Sequence, residues 1–173
     1  VEDFDGHPWP VLNSEQMGLG DRQGIKTIDM HTNMLEALTY LSRASGKSEH
    51  RALLRDLFDR ILRHGLDQHG GTVTAFDTHW KPLPDAQGQF TTSYGLNVEL
   101  AWLLLEAVDV LNLDRESYRG PILGLIDHAL EYGFDWERGG LAAYGPMSGN
   151  VLEAHGLPPT RLVLALAAAG AIG

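Results

Sequence analysis

Eight histidines, 23 carboxylate side chains and no cysteine set the chemistry open to this chain. Without a thiol, disulfides, thiolate catalysis and Cys-ligated zinc or iron–sulfur centres are excluded. No Gly-x-Ser-x-Gly occurs, so a nucleophile elbow is absent. Gly139-Gly140 is followed by no Lys-Ser/Thr, which removes a phosphate loop. His64, His69, Asp77 and His79 fall in one stretch, but their spacing matches no ligand pattern, and no metal is expected there. What remains is acid–base and hydrogen-bonding chemistry at the start of two helical segments. His31 and Asn33 lie in the first, and Tyr94, Asn97, Glu99 and Trp102 in the second. Histidine titrates near pH ~6.5 and suits proton transfer, while Tyr and Asn both donate and accept. Glu99 precedes Leu100-Ala101-Trp102-Leu103, and a carboxylate in so apolar a run must be paired or face water. Each residue also has a plainer use: His31 and Asn33 as polar groups satisfied near a helix start, Glu99 bonded to a loop, Trp102 in the core.

Those groups need a scaffold. The chain has 173 residues, 43% of them hydrophobic, which suffices for one domain with a real core. The net charge of −10, without clustered Lys or Arg, argues against nucleic acid and against an anionic membrane surface. No stretch reaches the length of a transmembrane helix, and the first residues lack a signal-peptide pattern. The lack of cysteine fits a cytoplasmic protein. Val1 at the start and the Ala-rich close at Ala167–Gly173 suggest a piece of something longer.

Residues 1–24 read as an irregular lead-in broken by Gly6, Pro8, Pro10, Gly18, Gly20 and Gly24. A helix is predicted from Thr27 to about Ser45, ended by Gly46, and a second from Ser48 as N-cap to about His64, ended by Gly65. Residues 70–80 suggest a short hairpin arm or an extended loop. A third helix, apolar nearly all round, spans about Ser93 to Leu111, and a fourth follows Asp114 to Tyr132, with Pro121 delaying its start. Residues 146–173 read as an atypical tail.

Self-comparison supplies the architecture. Leu35-Glu36-Ala37 recurs as Leu105-Glu106-Ala107, Gly65-Leu66-Asp67 as Gly133-Phe134-Asp135, and Gly70-Gly71 as Gly139-Gly140, shifts of 70, 68 and 69 residues. The unit is helix, helix, Gly-Gly loop. Such a hairpin cannot bury its apolar face alone, so copies stack into a solenoid or close into a ring. The expected fold is all-α: part of an α/α toroid, with the third helix inner and the more charged second and fourth outer. Two hairpins fill only part of a closed ring.

Three segments then resemble the N-acylglucosamine 2-epimerase and cellobiose 2-epimerase family: Lys26-Thr27-Ile28-Asp29-Met30-His31-Thr32-Asn33-Met34-Leu35-Glu36-Ala37, Ser93-Tyr94-Gly95-Leu96-Asn97-Val98-Glu99, and Tyr132-Gly133-Phe134-Asp135-Trp136-Glu137-Arg138-Gly139-Gly140-Leu141. They occur in the family's order and cover roughly residues 26–145, as in an N-terminal to middle fragment. The resemblance implies a twelve-helix (α/α)6 barrel with a sugar pocket at one end. It implies epimerisation or isomerisation beside the sugar carbonyl: one His removes the C2 proton, another returns it, and no organic cofactor takes part. Such chemistry requires a base poised near neutral pH, an oxyanion donor and exclusion of bulk water.

The departures carry their own expectations. The family usually has His after Ser-Tyr-Gly, where this chain has Leu96, and often a second His where it has Asn33. On the resemblance, the principal acid–base histidines lie further on, near a Trp-Trp segment and near the C-terminal end, and neither segment is present. Where the next inner helix should begin the chain reads His155-Gly156-Leu157-Pro158-Pro159-Thr160-Arg161, as a truncated or frame-shifted product would. The expected function is therefore a sugar 2-epimerase or isomerase fragment with little or no turnover by itself. His31, Asn33, Tyr94, Asn97, Glu99 and Trp102 are its candidate sugar contacts, and Trp80, Trp136 and Tyr144 are aromatic groups near the mouth. Two rivals stand beside it. One is an α/α glycoside hydrolase or lyase using Asp135 with Glu137, or Glu99 with Asp77, as paired carboxylates. The other is a non-catalytic helical-repeat module binding glycan or protein, whose exposed inner helices would self-associate.

Overall fold

The computed structural model describes residues 24–137 and 139–148, together with two backbone segments near the start. These are β1 (Glu2–Asp3) and β2 (His7–Pro8), paired antiparallel where the sequence suggested only irregular chain. The tail expected beyond 146 lies mostly outside the described residues.

The rest is one unit built twice. The first runs β3 (Lys26–Thr27), α1 (Ile28–Ser45), α2 (Ser48–Arg60) and β4 (Ala75–Phe76); the second runs β5 (Thr91–Ser93), α3 (Tyr94–Leu111), α4 (Arg115–Gly133) and β6 (Tyr144–Pro146). In each unit the strand before the first helix pairs antiparallel with the strand after the second, β3 with β4 and β5 with β6. Isolated bridges Leu66↔Thr72 and Phe134↔Leu141 fold the two Gly-Gly loops alike. Residues 70–80 are thus not a hairpin of their own, because β4 completes a pair with β3.

Local signals account for the helix ends. Thr27 and Ser93 occupy equivalent N-caps, their hydroxyls accepting from Met30 N and Leu96 N at 3.3 Å each. Gly46 and Asn112 occupy equivalent left-handed C-caps, with φ of 64° and 55°. The Asp114 carboxylate accepts from the amides of Glu116 and Ser117, starting α4. Pro121 sits inside α4 rather than delaying it, since it and Ser117, whose carbonyl it leaves without a helical donor, lie on an exposed face. Two further expectations shift. Lys47, not Ser48, is the cap residue of α2, and α2 passes into a single π-helical turn, Ile61–Gly65, instead of continuing to His64 as α-helix.

α1 and α3 pack side by side, each backed by its partner, α1 by α2 and α3 by α4. The core lies between these layers: Leu35, Leu54, Leu57, Phe58 and Ile61 of the first unit meet Leu100, Leu103, Leu104, Ala107 and Val108 of α3 and Leu125 of α4. Burying side chains of this kind stabilises by about 1.5–3 kcal/mol each, before the opposing chain entropy. The links α1–α2 and α3–α4 are two and three residues long. The long, strand-bearing connections therefore gather at the opposite end, around the N-termini of α1 and α3.

Four tight loops within those connections repeat one design. Asp67, Asp77, Asp85 and Asp135 each open a tight loop, and one carboxylate oxygen accepts backbone N–H groups within it at 2.8–3.3 Å. Each loop then passes through a left-handed residue: Gly70, Trp80, Gly88 and Gly139, in that order.

Candidate functional site

At roughly 100° per residue, positions i, i+3 or i+4, and i+7 share one face of a helix. On α1 that spacing aligns Asp29, Asn33, Glu36 and Tyr40; on α3 it aligns Glu99, Trp102 and Glu106. Asp29, Asn33, Tyr40, Glu99 and Trp102 are exposed, Trp102 to 50%. The two stripes lie on adjacent helices. Partial burial first, then the negative charges of Glu36 and Asp29 on α1, hold the Glu99 carboxyl above the usual carboxylate range. The Asn33 amide donates to Asp29 O at 2.9 Å and Asp29 Oδ1 at 3.4 Å. At the far end an Arg43–Glu106 ion pair ties α1 to α3, with the Arg43 guanidinium 5.7 Å from the Tyr40 ring. One face therefore combines carboxylates, an amide and two aromatic rings.

The six sequence-predicted contacts divide between that face and its reverse. Asn33, Glu99 and Trp102 stand on it; Trp102 is not the core residue its surroundings suggested. His31, Tyr94 and Asn97 are buried behind it. His31 Nδ1 donates to Thr27 O at 2.6 Å, and its ring lies 4.7 Å from Trp80. Tyr94 donates its hydroxyl to Pro146 O at 2.9 Å, and burial pushes that hydroxyl up to about 12. Asn97 is fully enclosed. Its Oδ1 accepts from Thr72 N at 3.1 Å and Thr72 Oγ1 at 2.6 Å, and its Nδ2 donates to Thr92 Oγ1 at 3.1 Å and His128 Nδ1 at 3.3 Å. Since the Thr72 N–H can only donate, the amide orientation is fixed, His128 Nδ1 must accept, and Nε2–H donates to Met147 O at 2.8 Å. One amide thus links the Gly-Gly loop of the first unit, β5, α4 and the chain after β6.

Sequence reasoning missed His128, although it falls three residues after the buried Leu125 on the apolar stripe of α4. It also missed Asp29, Glu36 and Tyr40, whose signal was their helical spacing around Asn33. The rival carboxylates serve other ends. Asp77 is a loop anchor, held below the usual carboxylate range first by the Lys81 amide, and Asp135 is buried with Oδ1 accepting from Glu137 N at 3.0 Å. Of the aromatic groups expected near the mouth, Trp136 and Tyr144 are exposed while Trp80 is buried. Among the described residues no three His, Asp or Glu converge as a metal site, and no helix is long and apolar enough to cross a membrane.

Paired helical hairpins with a polar, aromatic-bearing inner face define a segment of an α/α toroid. Comparison with known proteins gives the family. Residues 20–171 match the family model described as N-acylglucosamine 2-epimerase (GlcNAc 2-epimerase), and the chain belongs to that family. Its fold is shared with cellobiose 2-epimerase from Bacillus thermoamylovorans (TM-score 0.65, 22% identity, 81% of this chain and 34% of that one). Cellobiose 2-epimerase from Spirochaeta thermophila is similar at TM-score 0.58 and 24% identity, over 73% and 30%. A D-mannose isomerase is similar at TM-score 0.64 and 18% identity, over 78% and 36%. The chain spans about a third of the length of these structures.

Proposed function

We propose that this chain forms part of the sugar-binding wall of a cytoplasmic sugar 2-epimerase or isomerase. The observation that carries the reading is the exposure of Asn33 on α1 and of Glu99 and Trp102 on the adjacent α3 in a chain of this family. In this reading Trp102 stacks on a sugar ring, while Asn33 and Glu99 hydrogen-bond its hydroxyl groups. His31, Tyr94 and Asn97 act from behind, holding the first turns of the two helices against the loops.

The reaction is proton transfer at C2: one imidazole takes the proton, another returns it to the opposite face, and hydrogen-bond donors stabilise the enolate-like intermediate. The only imidazole on α1 and α3, His31, is turned away from the shared face. The described hairpins therefore bind and orient, and the acid–base pair comes from outside them. By itself the chain is proposed to turn over little or nothing and to self-associate through the exposed inner face.

The test is incubation of the folded chain with cellobiose, N-acetylglucosamine, N-acetylmannosamine, mannose or glucose in deuterated water, followed by proton NMR. The expected result is shifted resonances around Glu99 and Trp102 with one of these sugars and no deuterium at C2. Exchange at C2 by the chain alone would overturn the assignment of the acid–base pair. Absence of any shift, with every sugar near saturation, would overturn the sugar wall itself.

A further inference from the structure

The second unit and the other Asp-anchored loops act as internal controls for the first unit, and two departures from them meet at one point. Where α4 stays regular to Gly133, the helix of the first unit gives way to the π-turn that carries His64. Where the loops at Asp67, Asp85 and Asp135 place Gly70, Gly88 and Gly139 in the left-handed region, with φ of 85°, 81° and 72°, the loop at Asp77 places Trp80, with φ of 63°. His64 stacks on Trp80 at 5.4 Å with 20° between the planes.

The rest of the indole is covered by His31 at 4.7 Å and Phe76 at 5.3 Å, with the Lys26 ammonium 5.0 Å from the ring. Trp80 is 7% exposed, yet its Nε1–H has no hydrogen-bond partner among the described residues. A bulky side chain at positive φ is strained, and a buried donor without an acceptor is unfavourable. Glycine would remove the first penalty, and phenylalanine the second. The sequence keeps both, set against the packing of one indole. If the loop opens, the backbone can return to the extended region and the N–H can reach water, so both penalties disappear together.

We propose that Asp77–Lys81 is a two-state latch. In the closed state Trp80 fills the space between the first turn of α1 and the π-turn. In the open state the indole swings out and uncovers the buried His31 ring and the one face of the half-buried His64 ring on which it stacks. The closed state is held by the Asp77 carboxylate, which accepts from His79 N and Lys81 N at 2.8 and 2.9 Å, and by the backbone bonds Trp80 N to Asp77 O at 3.1 Å and Asp77 N to Lys81 O at 2.9 Å; opening releases those that flank Trp80. α1 carries Asp29 and Asn33 on the side away from the latch, so its state reaches the inner face through that first turn. The inference stands whether or not the exposed face of α1 and α3 binds sugar.

Native-state hydrogen exchange tests it on the unaltered protein. The Trp80 indole N–H is assigned by its NMR contacts with the His64 ring and by its loss in Trp80→Phe. The expected result is exchange many-fold faster than the amides of Leu35 and Leu104, at a rate insensitive to low urea, as local opening requires. Exchange as slow as the core amides, rising with urea in step with global unfolding, would overturn the latch.

Discussion

Replacing Gly133 by Ala asks whether two glycines made equivalent by the repeat carry unequal loads. A Cβ at Gly133 would stand 2.3 Å from Tyr94 Cγ and 2.6 and 2.8 Å from its two Cδ atoms. Tyr94 has no way to step aside: it is fully buried, its hydroxyl is tied to Pro146 O at 2.9 Å, and its ring lies 5.8 Å from His128. At Gly65 the same added atom meets only Ile28 Cδ1 at 2.8 Å and Ile61 Cγ2 at 3.6 Å, and a terminal methyl can change rotamer. Alanine gains about 0.5–1 kcal/mol over glycine in a helix, whereas overpacking against a fixed ring costs about 1–3 kcal/mol. Gly65→Ala should therefore be nearly neutral. Gly133→Ala should lose about 1–2 kcal/mol, lowering Tm by roughly 3–8 °C in a chain of this size. Urea and thermal unfolding followed by circular dichroism measure both variants, and Tyr94→Leu added to Gly133→Ala should recover part of the loss by coupling at a shared contact. Equal effects at the two glycines, or additive effects in the double variant, would refute the reasoning.

Two more outcomes follow from the site. Asn97→Ala strands the Thr72 N–H and the His128 Nδ1 acceptor, and should lower stability in urea by about 2–4 kcal/mol. It should also speed hydrogen exchange at the Thr72 amide; a loss below about 0.5 kcal/mol would mean that the network is not closed by this amide. Glu99→Gln should behave oppositely and with pH. Because the Glu99 carboxyl sits above its ordinary value, the fold favours its protonated form, so its ionisation costs stability as pH rises through the carboxylate range. The Gln variant should accordingly be more stable at neutral pH, by roughly 0.3 kcal/mol after solvent screening, and equal to the parent below that range. Urea midpoints across a pH series would reveal this, and a variant less stable at neutral pH would refute it.

The repeat, the four helices and most of their ends were legible in the sequence, for local reasons. Leu-Glu-Ala, Gly-Leu-Asp with Gly-Phe-Asp, and the two Gly-Gly pairs mark equivalent points of two units. Thr27, Ser93 and Asp114 can cap a helix by reaching a few residues along their own chain. The family could be read from three segments because they keep their order and residue types. The α2 terminus was not legible, since a π-turn differs from an α-turn by one hydrogen-bond step and depends on what packs against it, here the Trp80 ring on His64. Nor was the pairing of β4 with β3, which joins residues some fifty positions apart.

The family resemblance selected His31 and Asn33, and residue type at the opening of an apolar helix selected Tyr94, Asn97, Glu99 and Trp102, yet neither could say which side of each helix would be covered. Asp29 and His31 are two residues apart on one helix and point in nearly opposite directions. The core took His31, Tyr94 and Asn97, whose polar atoms find partners at Thr27, Pro146, Thr72 and His128, on other turns and elements of the fold. Asn33, Glu99 and Trp102 stayed on the open face. The sequence by itself determined that the chain is a repeated helical hairpin with polar groups at the start of its first and third helices, because capping, glycine punctuation and apolar periodicity act over a few residues. Only the tertiary structure decided which of those groups line a surface and which brace it, because burial and hydrogen-bond partners are properties of what packs alongside.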